Sequence, residues 1–253
     1  MKTSSPETPK TSSPPSILLI GPPGGGKTTL ALQFPGVAIM DCDGNLDGPE
    51  RFLRKERLKS LAYKYESFRQ YDNGKPIAVE DAFPLLVESV KACYSDPTIK
   101  TVVIDSLTHV NEFIIRNVLV KQNKTKNPLE MEMRDWIPFK SKAYQLLVGA
   151  LQGCGKTTIC TCHEKILTEI VGNDFKEKII GYSPAFQGGV TDYFGAFFTD
   201  MWRCEARQGL GGEQEFWVTP TKTPKSDLKN SLLFDGPINV TKSAQTILER
   251  IKV

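Results

Sequence analysis

Gly21, Gly24, Gly25 and Gly26 lead into Lys27, Thr28 and Thr29 in the run Gly-Pro-Pro-Gly-Gly-Gly-Lys-Thr-Thr, which has the spacing Gly-x-x-x-x-Gly-Lys-Thr. A polyphosphate needs backbone N–H groups aimed at its oxygens, and only glycine lets a chain wrap that closely. Pro22 and Pro23 have no N–H, so the donors must come from Gly24 onward. In this pattern Lys27 reaches the β- and γ-phosphates and the Thr28 hydroxyl ligates Mg²⁺, with Thr29 as a second candidate. The apolar run Ile17–Ile20 before the glycines and the apolar helical start after them supply the strand and helix the motif requires. The positive end of that helix adds to the attraction. The ligands implied are ATP and Mg²⁺.

A second string, Gly153-Cys-Gly-Lys-Thr-Thr158, does not share this context. The position five before Gly155 is Ala150, and a helix precedes the string while a strand follows it. Gly153 and Gly155 read as a helix C-cap. A second acidic group comes from Thr101-Val-Val-Ile-Asp105-Ser106, a buried strand that delivers a carboxylate at its C-terminal end, where open α/β sheets bind ligands. Asp105 is therefore the partner of Thr28 at the metal.

The elements that must position these groups follow from the chain's periodicity. Strands are expected at Ile17–Ile20, Val37–Asp41, Lys59–Phe68, Thr101–Asp105, Thr157–Cys162, 198–206 and 215–220. Helices are expected from the glycine loop to Phe34, at 47–58, Val79–Tyr94, Ser106–Val120, 135–152 and Lys242–Lys252, with a short one from Gly189. Residues 166–182 read as a hairpin around Gly172-Asn-Asp174. This alternation predicts an α/β fold, a doubly wound and mostly parallel sheet with a C-terminal antiparallel extension. Residues 1–15, rich in Ser, Thr and Pro, read as a disordered tail, and residues 16–253 as one domain.

With 253 residues, 40% hydrophobic and 24% charged, the chain suits one sizeable core. It has no apolar run of membrane-spanning length and no signal-peptide pattern, so a cytoplasmic protein is expected, away from membranes. The six cysteines have no Cys-x-x-Cys spacing, which argues against zinc and a disulfide framework. A net charge of +3 is too small to imply nucleic acid by itself. The basic runs Arg51, Arg54, Lys55, Arg57, Lys59 and Lys121, Lys124, Lys126 suit either phosphate contact or a solvated face.

Four segments together resemble the RecA/RadA recombinase core, in the form found in phage ATPases linked to single-strand annealing and recombination. Beyond the glycine loop, they are Asp41-Cys-Asp43-Gly-Asn-Leu-Asp47 at the end of the second strand, the pair Asp105-Ser106, His163 after the strand at 157–162, and Gly188-Gly189 with the helix and strand to Arg207. The resemblance implies a RecA-like P-loop ATPase in which Asp43 positions the attacking water. Asp43 stands where the family usually has glutamate, which implies slow hydrolysis, with Asp41 or Asp47 as substitutes. His163 falls at the family's γ-phosphate sensor.

The segment Glu164–Gly189 corresponds to a DNA-binding loop whose charges sum to −1, so contact there would use backbone amides and stacking by Tyr182 or Phe186. Lys222, Lys225 and Lys229 match the place of bridging lysines that reach a neighbour's nucleotide, which implies a homo-oligomer. The partners implied are single-stranded DNA and a single-strand-binding protein. Two alternatives stand beside the DNA-stimulated ATPase. One is a nucleotide-switched annealing or loading factor with little turnover. The other is a small-molecule or nucleotide kinase, which the sparse arginines outside 51–57 disfavour.

Overall fold

The computed structural model describes residues 13–55, 63–68, 74–122, 129, 131–171, 176–187, 189–223 and 226–251. Most of the expected tail, the tip of the 166–182 hairpin, Arg57, Lys59, Lys124, Lys126, Gly188 and Lys225 lie outside them.

Among the described residues nine strands form the sheet: β1 (Ser16–Gly21), β2 (Val37–Asp41), β3 (Lys64–Ser67), β4 (Thr101–Asp105), β5 (Thr157–Val171), β6 (Lys176–Pro184), β7 (Asp200–Gln208), β8 (Gln214–Thr219) and β9 (Ile238–Asn239). Their order is β3-β2-β4-β5-β1-β7-β8-β9, with β6 paired to the outer half of β5. The six strands from β3 to β7 in that order are mutually parallel. The pairs β7–β8, β8–β9 and β5–β6 are antiparallel. The helices are α1 (Lys27–Ala31), α2 (Asp47–Lys55), α3 (Val79–Ala92), α4 (Leu107–Lys121), α5 (Trp136–Tyr144), α6 (Phe194–Phe197) and α7 (Gln245–Ile251). This is the mostly parallel α/β sheet with antiparallel C-terminal strands that the sequence implies.

Central strands buried on both sides divide their side chains by the two-residue pleat. Leu18, Ile20, Met40, Val102, Ile104, Cys160 and Cys162 face a core shared with α3, α4 and α5. Ile17, Leu19, Val37, Ile39, Val103, Ile159 and Trp202 face the opposite core, with α1 and α7. The six cysteines are all free and buried. Within α3, Pro84 has no N–H to give the Glu80 carbonyl four residues back. The Asn117 side-chain amide of α4 donates to that carbonyl at 2.6 Å, which ties the two helices together.

Three expectations change. The strand expected to stop at Cys162 runs to Val171, because beyond His163 it leaves the buried sheet and continues as one arm of the β5–β6 hairpin, with Lys165–Glu169 exposed. The helix expected over 135–152 keeps α-helical winding only to Tyr144, then takes π-helical winding over Gln145–Leu151 and a 3₁₀ turn to Cys154. It ends at Gly155 in the left-handed conformation (φ 64°), so the second glycine string is a helix terminus, and Lys156 there donates to the carbonyls of Asp96 and Ile99. The two-residue β9 has no expected counterpart.

Among the described residues no helix is long and apolar enough to cross a membrane.

Candidate nucleotide site

The C-terminal ends of β1, β2 and β4 and the middle of β5 converge on a cleft of about 470 Å³ lined by the glycine loop, Asp43, Phe52, Asp105, His109, His163 and Phe216. The loop is shaped by its glycines. Gly24 and Gly26 take φ values of 73° and 85°, which L side chains rarely adopt. A Cβ on Gly21 would lie 2.1 Å from the Cys204 carbonyl oxygen of β7. The Gly25 amide closes the turn onto the Pro22 carbonyl at 3.1 Å.

Lys27 opens α1 and folds back, donating to the carbonyls of Gly21 (2.9 Å) and Pro22 (2.8 Å). Burial draws its pKa down, and the nearby Cys204, Asp105, Cys162 and Asp43 oppose that fall. Thr28 donates to Asp105 Oδ2 at 2.8 Å, and Thr161 of β5 donates to Oδ1 of the same carboxylate. Asp105 is raised to about 6, first by burial and then by the charge of Asp43, while the two hydroxyls pull it back. A carboxylate and a hydroxyl side by side beneath a phosphate cradle are hard oxygen donors of the kind Mg²⁺ takes when phosphates and water complete its shell. The residues present therefore fit that ion. Thr29 is buried and also lines the cleft.

Asp43 reaches the cleft because the amides of Cys42 and Asp43 both donate to the Asp105 carbonyl, at 2.7 and 3.2 Å, which carries the chain leaving β2 across the end of β4. Its Oδ1 accepts from the Ser106 amide (2.8 Å) and the Ser106 hydroxyl (2.9 Å), and lies 2.6 Å from His109 Nδ1. Its Oδ2 lies 3.8 Å from His163 Nε2. Burial pushes the Asp43 carboxyl up, but hydrogen bonds from His109, His163 and Ser106 outweigh it and hold the group well below the usual carboxylate range. The other two aspartates of this segment stand elsewhere. Asp41 is committed to the turn by accepting from the Gly44 amide at 2.7 Å, and Asp47 sits exposed on α2 beside Arg51.

Two further expectations change, at Phe186 and Lys229. Phe186 is buried between Phe139 (centroids 5.8 Å) and Phe194 (5.6 Å), so it is a core side chain and not a stacking platform. Tyr182 carries the Arg203 guanidinium over its ring at 4.3 Å, and Arg203 is held in turn by a two-pronged pair with Glu164 at 2.9 and 3.1 Å. Lys229 is spent inside the chain, donating to the carbonyls of Gly195 and Phe198. Lys222 is exposed and pairs with Asp227 at 2.6 Å.

The sequence reading missed His109, Phe52 and Phe216. Ser106 and His109 lie three residues apart just past the Asp105 strand, a helical spacing that puts both on one face, and this was the signal available for His109. Phe52 meets Phe216 edge-on at 4.9 Å, and Phe216 packs beneath Gly26, so the pair forms an apolar wall beside the cradle.

A family model described as an AAA domain matches residues 13–208. No curated protein matches. Among solved structures, an uncharacterized protein PH0321 from Pyrococcus horikoshii, in complex with an unknown peptide, shares 10% identity with a TM-score of 0.40, covering 85% of this chain and 86% of that one.

Proposed function

This chain belongs to the AAA-domain family of P-loop ATPases, and from that premise we propose that it is an Mg²⁺-dependent ATP hydrolase resembling the RecA/RadA core and acting on single-stranded DNA in recombination or annealing. The observation that carries the hydrolytic part is the meeting of Lys27, Thr28, Asp43, Asp105 and His163 in one cleft, brought there by the ends of β1, β2 and β4 and the middle of β5.

The glycine loop binds the triphosphate through its amides, and Lys27 exchanges its two carbonyl partners for phosphate oxygens. Thr28 and Asp105 would hold a magnesium ion, which would neutralise developing charge on the phosphates. Asp43 orients the attacking water through Oδ2, since Oδ1 is occupied by Ser106 and His109. His163 lies between that carboxylate and the β5–β6 hairpin, and so reports phosphate state to the hairpin. Phe52 and Phe216 cover an apolar face of the ligand.

The DNA part rests on the resemblance and on the hairpin rising from the site. With Phe186 in the core and Lys229 bonded internally, Tyr182 and Lys222 remain the contacts to test, in DNA and in a second copy's nucleotide respectively. Turnover with and without single-stranded DNA separates the readings. Stimulation supports a DNA-coupled ATPase. DNA binding without stimulation supports the nucleotide-switched factor, which the low basicity of Asp43 favours. Absence of DNA binding with and without nucleotide refutes both DNA readings.

A further inference from the structure

The first two turns of α4 hold three different parts of the site at once. Ser106, just before the helix, and His109 grip Asp43 from β2. The Thr108 hydroxyl accepts from the His163 amide of β5 at 3.0 Å. Asn111 Oδ1 accepts from the Gln187 amide at 3.0 Å, at the foot of the β5–β6 hairpin. Of these, the contact with His109 bears directly on the carboxylate that faces water.

A carboxylate only accepts hydrogen bonds, so Nδ1 of His109 is the donor across its 2.6 Å contact with Oδ1. Both bonds from Ser106 arrive from one residue at the same oxygen, which fixes where Oδ1 sits. Donors prefer the plane of the carboxylate, so a further donor from another residue sets the rotation of that plane and hence where Oδ2 points. A residue one methylene longer, as the resembled family usually has here, would carry its carboxylate farther into the cleft. The short arm of Asp43 makes its orientation the more dependent on what grips it.

We infer that His109 is the positioning residue of this site, aiming Oδ2 of Asp43 at the attacking water through its Nδ1 donor, so that turnover depends on His109 while nucleotide binding does not. The inference rests on the hydrolytic reading of the cleft and names a residue that neither the P-loop nor the strand ends supply. A misplaced water-orienting group costs rate without costing substrate affinity.

The experiment compares the full chain with His109→Ala, His109→Asn, Asp43→Asn and the double variant Asp43→Asn/His109→Ala, measuring kcat and KM for ATP and the Kd of a non-hydrolysable ATP analogue. His109→Ala is expected to lower kcat by about 10²-fold, with KM and Kd within about twofold. His109→Asn, whose amide nitrogen can take the place of Nδ1, is expected to recover most of that loss. His109→Ala adds nothing in the Asp43→Asn background, because the two groups act as one unit.

The inference is overturned by a His109→Ala enzyme with wild-type kcat, by equal losses in Ala and Asn, or by losses that multiply in the double variant. Analogue binding verifies that each variant is folded. A wild-type chain that binds ATP without turning it over, or Asp43→Asn with full kcat, refutes the hydrolytic reading itself and this assignment with it. Turnover that depends on Asp43 but not on His109 refutes the assignment alone.

Discussion

Asp105→Asn should make the nucleotide-free protein more stable while removing its chemistry. In the folded chain Asp105 is buried, lies near Asp43, and titrates at about 6 against an ordinary value of 3.8. A group whose folded pKa is raised holds its proton longer in the folded state than in the unfolded one. Between those two values the unfolded chain binds fewer protons, so stability falls as pH rises through the window and stays low above it. A rise of about 2 in pKa, at about 1.4 kcal/mol each, amounts to about 3 kcal/mol carried against folding at neutral pH.

Asparagine never ionises, and the hydroxyls of Thr28 and Thr161, which now donate to the carboxylate, can rotate to accept from its amide. Urea unfolding without nucleotide or metal, at about pH 4.5 and about pH 7.5, isolates the contribution, because every other titrating group is common to both proteins. The stability gap in favour of Asp105→Asn should widen by about 2 kcal/mol between those pH values, as the linkage relation gives for these two pKa values. The same variant should lose Mg²⁺-dependent turnover. A gap that does not change with pH, or a variant less stable than wild type at about pH 7.5, would refute the reasoning.

Two predictions concern packing. Gly21→Ala drives a methyl into the Cys204 carbonyl and should cost about 3 kcal/mol or more in urea unfolding, with ATP-analogue binding weakened. Gly24→Ala meets nothing within 4 Å and should cost only about 1 kcal/mol, from its positive φ; equal costs for the two would contradict the close approach at Gly21. Phe186→Ala should lose about 3–5 kcal/mol of stability as a core truncation; a loss of DNA affinity with unchanged stability would return Phe186 to the surface role the sequence suggests.

The buried half of the fold was the legible half. Val37–Asp41 and Thr101–Asp105 are strands over the ranges expected, because continuous apolar runs closed by an aspartate leave little choice of period or end. The hairpin expected over 166–182 is present as the outer half of β5 and β6; what was harder to read is that its first arm continues the buried strand at 157–162, since Glu164 and Lys165 break the apolar pattern between them. The π-helical stretch Gln145–Leu151 was hidden for another reason. Its buried residues, Leu146, Leu147, Ala150 and Leu151, recur four apart, a spacing that an α-helix would also place on one face.

At the site, the glycine loop and Asp105 announced themselves by spacing, whereas His109 is a lone histidine on a helix. Its role follows from a contact with Asp43, 66 positions earlier in the chain and just past the end of β2. The same tertiary packing that brings His109 in takes Phe186 and Lys229 out of reach, by burying one ring and occupying one ammonium group.

The most direct test of the account is ATP hydrolysis by the purified chain with Mg²⁺, beside Lys27→Ala and with analogue binding measured on both. The account predicts binding and turnover in the wild type, with both lost or reduced by about two orders of magnitude when Lys27 no longer reaches the phosphates. Turnover that survives in Lys27→Ala, or a wild-type chain that binds no nucleotide, would contradict it.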